Sequence, residues 1–230
     1  MTYSIFWLKG DYRDRQLAAN AEGCVCYLEH HFNALANDDP DSQRENKSLC
    51  IVGGNASQTS KNWAAWFTRT IAAEFGIGDG GVLVGPRRGD FNLRYTSMPA
   101  ILIEPLFVSD PTQAAIAKSE DGQERIARVI VESIRRFFPD GGAIGFSVGH
   151  KYKTSNPHDR GAPVFGGGTE AELAEEVLHR AARMLRDGAQ IGDPERVLRV
   201  TRNGKVIAQV QLDADDIVAW NPCTETLRIG

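Results

Sequence analysis

The strongest constraint in this 230-residue chain is a change of period that keeps recurring. Short apolar runs at 3–9, 24–29, 49–52, 100–104 and 143–148 are rich in β-branched and aromatic residues and read as strands. Between them, 12–22, about 60–75, 126–138 and 169–186 carry apolar residues every three or four positions, the spacing of a helix face. A chain that alternates in this way buries both kinds of apolar face only by laying helices on a sheet. The expected fold class is therefore α/β, a mixed central sheet with helices on both faces.

The punctuation agrees with that division. Gly76 stands where a helix C-terminal cap belongs, after Trp63, Trp66, Phe67, Ile71 and Phe75 at helical spacing. Asp110-Pro111 opens the next helix, with Asp as cap and Pro in the first turn. Thr169 followed by Glu172 has the form of a capping box. Pro139-Asp-Gly-Gly breaks a helix before the strand at 143–148. Asn203-Gly204, between two alternating runs, predicts a β-hairpin in a small extension at 189–230, set apart from a body at 1–188.

Composition narrows the function classes. Hydrophobic residues make up 42% and net charge is only −4, which excludes a globally disordered chain and argues against a phosphate-tracking nucleic-acid binder. No apolar run approaches the ~18–20 residues of a membrane helix, so no membrane insertion is expected. The first ten residues lack a basic leader and a small-residue cleavage site, so synthesis in the cytoplasm without a secretory signal is expected. Cys24, Cys26, Cys50 and Cys223 follow no disulfide-framework spacing, and Cys24 and Cys26 are expected as buried thiols on one strand face.

Four residues sit at ends of elements rather than on their faces: His31, Glu104, His150 and Glu170. Sites in open α/β sheets gather at the carboxyl ends of strands. Two histidines and a carboxylate form the ligand set of a catalytic zinc ion that keeps one position for water, and a second carboxylate can move that water's proton. Glu104 is the most unusual, because it lies between Ala-Ile-Leu-Ile and Pro-Leu-Phe, where an unpaired carboxylate costs several kcal/mol. His30 is expected on the strand face opposite His31. His179, in mid-helix, reads as structural, and His158 as an exposed loop residue facing substrate. The pattern alone leaves open which glutamate would bind metal.

Leu28-Glu-His-His-Phe-Asn-Ala34 resembles the Glu-x-His-x-Asn-Ala segment of zinc-dependent N-acetylmuramoyl-L-alanine amidases of the Amidase_3 type, phage endolysins in particular. Arg15-Gln-Leu-Ala-Ala-Asn20 is similar to that family's Arg-x-x-x-Ala-Asn helix, and Met98 to Asp110 to its Pro-x-Val-Leu-Val-Glu-x-x-Phe-x-Ser-Asn block. Ser147-Val-Gly-His150, Asp159-Arg-Gly-Ala162 and Gly168-Thr-Glu170 resemble the family's first metal segment, which here comes last and has a longer loop. The resemblance thus implies a circularly permuted amidase fold, a change tolerated where termini and exposed loops lie at the surface. It implies His31, His150 and Glu170 as Zn²⁺ ligands and Glu104 as the catalytic carboxylate, with Asn33 supporting the site; Asn33 and the loop residue His158 are the candidate substrate-binding residues. It also implies a peptidoglycan hydrolase that acts on the cell wall after a membrane breach. A zinc amidohydrolase of a small N-acyl amino acid and a non-catalytic murein-binding relative are the alternatives. Oligomeric state and stem-peptide preference are not legible.

Overall fold

The computed structural model describes residues 2–35, 46–85 and 90–186, together with the backbone of four strands beyond residue 196. The chain divides into two units, Met1–Arg186 and Asp187–Gly230.

In the first unit, strands β1 (Tyr3–Leu8), β2 (Cys26–His30), β3 (Lys47–Val52), β4 (Gly78–Val84), β5 (Ala100–Glu104) and β6 (Gly142–Val148) form one sheet in the order β1-β6-β2-β5-β3-β4. The sheet is mixed. β1, β6, β2 and β5 run parallel, β3 is antiparallel to β5, and β4 is parallel to β3. The last strand of the unit, β6, therefore lies between the first two.

Strand alternation decides what each face covers. Cys26, Leu28, Ile101, Ile103, Ile144 and Phe146 point into the larger core. That core is closed by α2 (Gln58–Phe75), α3 (Pro111–Lys118), α4 (Glu120–Phe137) and α5 (Glu170–Arg186). On the opposite face, Tyr27, Ile51, Ala100 and Leu102 meet α1 (Tyr12–Ala21) through Ala19. Helix ends follow local chemistry: Ser57 caps α2 by accepting from the Ser60 amide at 3.1 Å, and Asp110 caps α3 by accepting from the Gln113 amide at 2.8 Å. Gly76 ends α2 with φ +64°, a conformation that costs glycine little.

Two expectations need correction, and two elements were not anticipated. Cys24 and Cys26 do not share a face: Cys24 packs with Leu8, Ala19 and Tyr27, whereas Cys26 joins the larger core. The reason is that β2 begins only at Cys26, and the Cys24 amide instead closes the end of α1 on the Ala19 carbonyl. Strand β4 and the 3₁₀ turn at Asp90–Asn92 were not legible, because Gly78-Asp-Gly-Gly has neither β-propensity nor alternation. The capping box at Thr169 is half made. Glu172 accepts from the Thr169 amide at 3.1 Å, while the Thr169 hydroxyl, buried, has no partner among the described residues.

In the second unit, β7 (Val197–Arg202) pairs antiparallel with β8 (Lys205–Gln211), and β9 (Val218–Asn221) with β10 (Thr226–Ile229). Arg202 is registered with Lys205, and the turn expected at 203–204 lies outside the described residues, as does Cys223.

Candidate metal centre

The carboxyl ends of β2, β5 and β6 lie side by side in the sheet. His31 immediately follows β2, Glu104 ends β5, and His150 follows β6 after Gly149. A loop then returns the chain so that Glu170, the first residue of α5, faces both histidines. One ligand atom from each of His31, His150 and Glu170 lies within 4.8 Å of the others. His31 Nδ1 donates to Glu170 Oε1 at 2.8 Å, and His150 Nε2 stands 3.5 Å from the same oxygen. The two imidazoles meet edge to face with centroids 4.9 Å apart. His31 and Glu170 are buried, while the His150 side chain keeps 29% exposure and brings the cluster to solvent.

Each histidine's outward nitrogen is also held by a carboxylate. His31 Nε2 donates to Glu29 Oε1 at 2.8 Å, and His150 Nδ1 to Asp159 Oδ1 at 3.0 Å. Carboxylates so placed fix the tautomer and the ring orientation of a metal-binding imidazole. The sequence reading missed both roles. The spacing of Glu29 and His31, two apart on one strand face, carried the signal for the first; Asp159 reaches His150 only through loop geometry.

Glu29 is fully buried and saturated with donors. Oε2 accepts from Tyr27 Oη at 2.7 Å and Ser147 Oγ at 3.0 Å, and Oε1 accepts from Asn92 Nδ2 at 2.5 Å besides His31. Burial pushes its carboxyl up, but the His31 bond and charge and the Arg15 charge outweigh that and hold it below the usual range. Burial likewise works against protonated His31, yet its bonds to Glu170 and Glu29 prevail and lift the imidazole to about 10. Glu170 is held down by the same contact with His31, against the effect of burial. It accepts in addition from the amides of Ala162 at 2.9 Å and Phe32 at 3.3 Å.

Arg15, buried completely, ties the floor of the site together. Its guanidinium donates to Ser147 Oγ at 2.9 Å, to the Val148 carbonyl at 2.7 Å and to the Lys151 carbonyl. Those carbonyls lie on either side of His150, whose backbone is left-handed at φ +61°, a strained state for a residue with a Cβ. Gly149 leaves room for His31: a Cβ there would fall 2.5 Å from Nδ1.

Glu104 stands outside the three-residue cluster. The β2–β5 register pairs His30 with Ile103 and, carried one residue further, sets Glu104 beside His31 on the same sheet face. It is 2% exposed and accepts from Asn33 Nδ2 at 2.6 Å. His158 is exposed on the loop and is not a member of the cluster. His30 turns to the opposite face, bonded through Nδ1 to the Ala174 carbonyl, and burial drives its imidazole down to about 3. His179 stacks against Trp7 at 4.4 Å.

The donor set fits a divalent cation. Two imidazole nitrogens and a carboxylate oxygen converge, and the far nitrogens are already bonded to carboxylates, which leaves both near ones beside the same Glu170 oxygen. Fold and site together define an α/β protein with a His-His-Glu candidate metal centre at the carboxyl edge of its sheet. The chain belongs to the Amidase_3 family, described as N-acetylmuramoyl-L-alanine amidase, whose model matches residues 6–136. That stretch includes His31, Asn33 and Glu104 and ends before His150 and Glu170.

No curated protein matches the chain. Among solved structures it is similar to the catalytic domain of CwlV, an N-acetylmuramoyl-L-alanine amidase from Bacillus (Paenibacillus) polymyxa var. colistinus, at 22% identity and TM-score 0.47. It is similar also to the N-acetylmuramoyl-L-alanine amidase of Clostridium difficile 630, at 26% identity and TM-score 0.49. Each of these matches covers 56% of this chain and 66% of the other, slightly less than two thirds of its length. The catalytic domain of the CD27L endolysin targeting Clostridia difficile is similar at 20% identity and TM-score 0.41, over 52% of this chain and 59% of that one.

Proposed function

We propose that this chain is a zinc-dependent N-acetylmuramoyl-L-alanine amidase, hydrolysing the amide between the lactyl group of N-acetylmuramic acid and the L-alanine of the stem peptide. The observation that carries the reading is the convergence of His31, His150 and Glu170 beside Glu104, in a chain of the amidase family. His31 through Nδ1, His150 through Nε2 and Glu170 would hold Zn²⁺. When bound, the ion supplies Lewis acidity toward the scissile carbonyl and lowers the pKa of water to about 7.

The chain's own groups do the rest. Glu29 and Asp159 take the outward N–H of each histidine and keep the inward nitrogen as the metal-facing one. Glu104 accepts the proton of the attacking water and returns it to the leaving amine of L-alanine. Its carboxylate accepts from the Asn33 amide, and in this reading Asn33 positions Glu104 as much as substrate. His158, on the exposed loop, is placed at the substrate rim in this reading.

The same reading explains the chain order. The family match stops at residue 136, and β6, with the His150 loop and Glu170, then enters the sheet between β1 and β2. We take this as a circular permutation in which the family's first strand and first metal segment have moved to the end of the catalytic unit.

Elemental analysis and a murein-release assay on one sample test the proposal. Zinc near one equivalent, with free L-alanyl stem peptide released from murein, is expected. Glu104→Gln is expected to keep the zinc and abolish release. Absence of zinc, or release of a different fragment, overturns the reading.

A further inference from the structure

The loop that carries Asp159 also walls a shallow pocket of about 380 Å³ against the turn between β1 and α1. Lys9, Lys151, Tyr152, Lys153 and Arg160 line it. Cations gathered this closely repel one another unless negative charge answers them. Two are answered within the chain: Lys151 by Glu175, and Lys153 by Asp159 at 2.6 Å. Glu175 is used further by the Tyr152 hydroxyl, and Asp159 by His150. Among the described residues, Lys9 and Arg160 have no carboxylate partner.

Both are nevertheless held in place. Arg160 Nη1 donates to the carbonyls of Pro157 at 2.9 Å and Asp159 at 2.7 Å. That occupies the two hydrogens of Nη1 and leaves the Nε and Nη2 edge, the side of a guanidinium that grips a carboxylate with two parallel hydrogen bonds. Lys9 Nζ stands 4.5 Å from the centroid of the Tyr152 ring. Tyr152 is itself fixed by its hydroxyl on Glu175 and by a left-handed backbone, φ +65°. Backbone strain of this kind at a residue that serves no core gathers at ligand-binding positions. The pocket adjoins the candidate metal centre: Arg160 lies between Asp159, which holds His150, and Gly161, where a Cβ would meet His150 Cδ2 at 2.7 Å. Further along the same loop, Pro163, Val164 and Phe165 line a separate groove of about 460 Å³ together with Leu35.

We propose that Arg160 and Lys9 form a subsite for a free carboxylate of the stem peptide. The proposal rests on the peptidoglycan reading above and specifies which peptides that site prefers.

Isothermal titration of the full chain in zinc buffer tests it with uncleavable probes. The probes are the tripeptide L-alanyl-γ-D-glutamyl-L-lysine and two forms of it, each with one of its carboxylates amidated. Amidation of one carboxylate is expected to weaken binding about tenfold or more, the scale of a lost charge-assisted pair. Arg160→Gln is expected to erase that difference. Lys9→Ala, at an exposed position that holds no loop carbonyl, is expected to reduce it and guards against a loop loosened by the first variant. Equal binding of all three peptides, or a difference that survives both substitutions, overturns the proposal. Inorganic phosphate in the same cell checks the other source of such an anion: phosphate that binds tighter than the acid peptide, and loses that binding in Arg160→Gln, also overturns it. Murein release on the same sample separates the two claims. Discrimination without release leaves the subsite standing and sinks the amidase reading; release without discrimination does the reverse.

Discussion

Glu29→Gln isolates one charge in the candidate metal centre. Glu29 is fully buried, and four donors surround its two oxygens: His31 and Asn92 at Oε1, Tyr27 and Ser147 at Oε2. Glutamine has nearly the same shape. With its carbonyl oxygen at the Oε1 position it still accepts from His31 and Asn92. Its amide then faces two hydroxyls, which rotate to accept. The fold is expected to survive, and what changes is the negative charge behind His31 Nε2. Loss of such an outer carboxylate weakens metal binding by about 10–100-fold. At about 1.4 kcal/mol per tenfold, that is about 1.4–2.8 kcal/mol. The assay is zinc competition against a chromophoric chelator at fixed pH, with circular dichroism to certify the fold. Tyr27→Phe serves as control, because it removes one neutral hydrogen bond from the same carboxylate at 2.7 Å and leaves the charge, so a change of less than about threefold is expected. A folded Glu29→Gln protein that holds zinc as tightly as the parent would refute the orienting role.

Three further outcomes follow from the same geometry. Gly149→Ala brings a Cβ to 2.5 Å from His31 Nδ1, so zinc uptake is expected to collapse, by elemental analysis, while helical content stays near the parent's. Arg15→Met removes the donors that hold the Val148 and Lys151 carbonyls and leaves them buried or nearly so; a loss of about 3 kcal/mol or more by chemical denaturation is expected, and a loss below about 1 kcal/mol would contradict it. Zinc affinity is expected to rise about tenfold per pH unit from pH 6.5 toward 10. The sign follows from His31: its metal-free imidazole is raised to about 10 by Glu170 and Glu29 against the effect of burial, so it carries a proton at neutral pH that binding must release. A flat titration curve of affinity against pH removes that assignment.

Most of the fold was legible because its elements state themselves locally. Ala100–Glu104 is five buried residues bounded by turn chemistry, and α2 shows its stripe in Trp63, Phe67 and Ile71 with a glycine at its end. What stayed hidden were features whose cause is tertiary. β4 is a glycine-rich edge strand ordered by pairing with β3, and Gly80 is needed there because a Cβ would strike the Ser48 carbonyl at 2.6 Å. The change of direction between β5 and β3 leaves no mark on either strand's sequence, since the same apolar pattern serves both orientations.

The site divides along the same line. The candidates His31, Glu104 and His150 stand out in the sequence because each closes a strand run, where a polar residue has no packing reason to follow apolar ones, and Glu170 because it opens a helix after a glycine-rich loop. Among the groups that orient them, Asn33 lies in a segment that resembles the family's, and Glu29 is within reach of strand alternation. Glu29 lies two residues before His31, and strand alternation alone puts both on one face. A glutamate inside Cys-Tyr-Leu-Glu-His, buried on both sides, needs donors to offset its desolvation, and strand alternation offers it Tyr27 on one side and His31 on the other. The desolvation that marks Glu104 marks Glu29 equally. Arg15 and Asp159 gave no such signal, because their partners are carbonyls and a ring brought near only when β6 enters between β1 and β2.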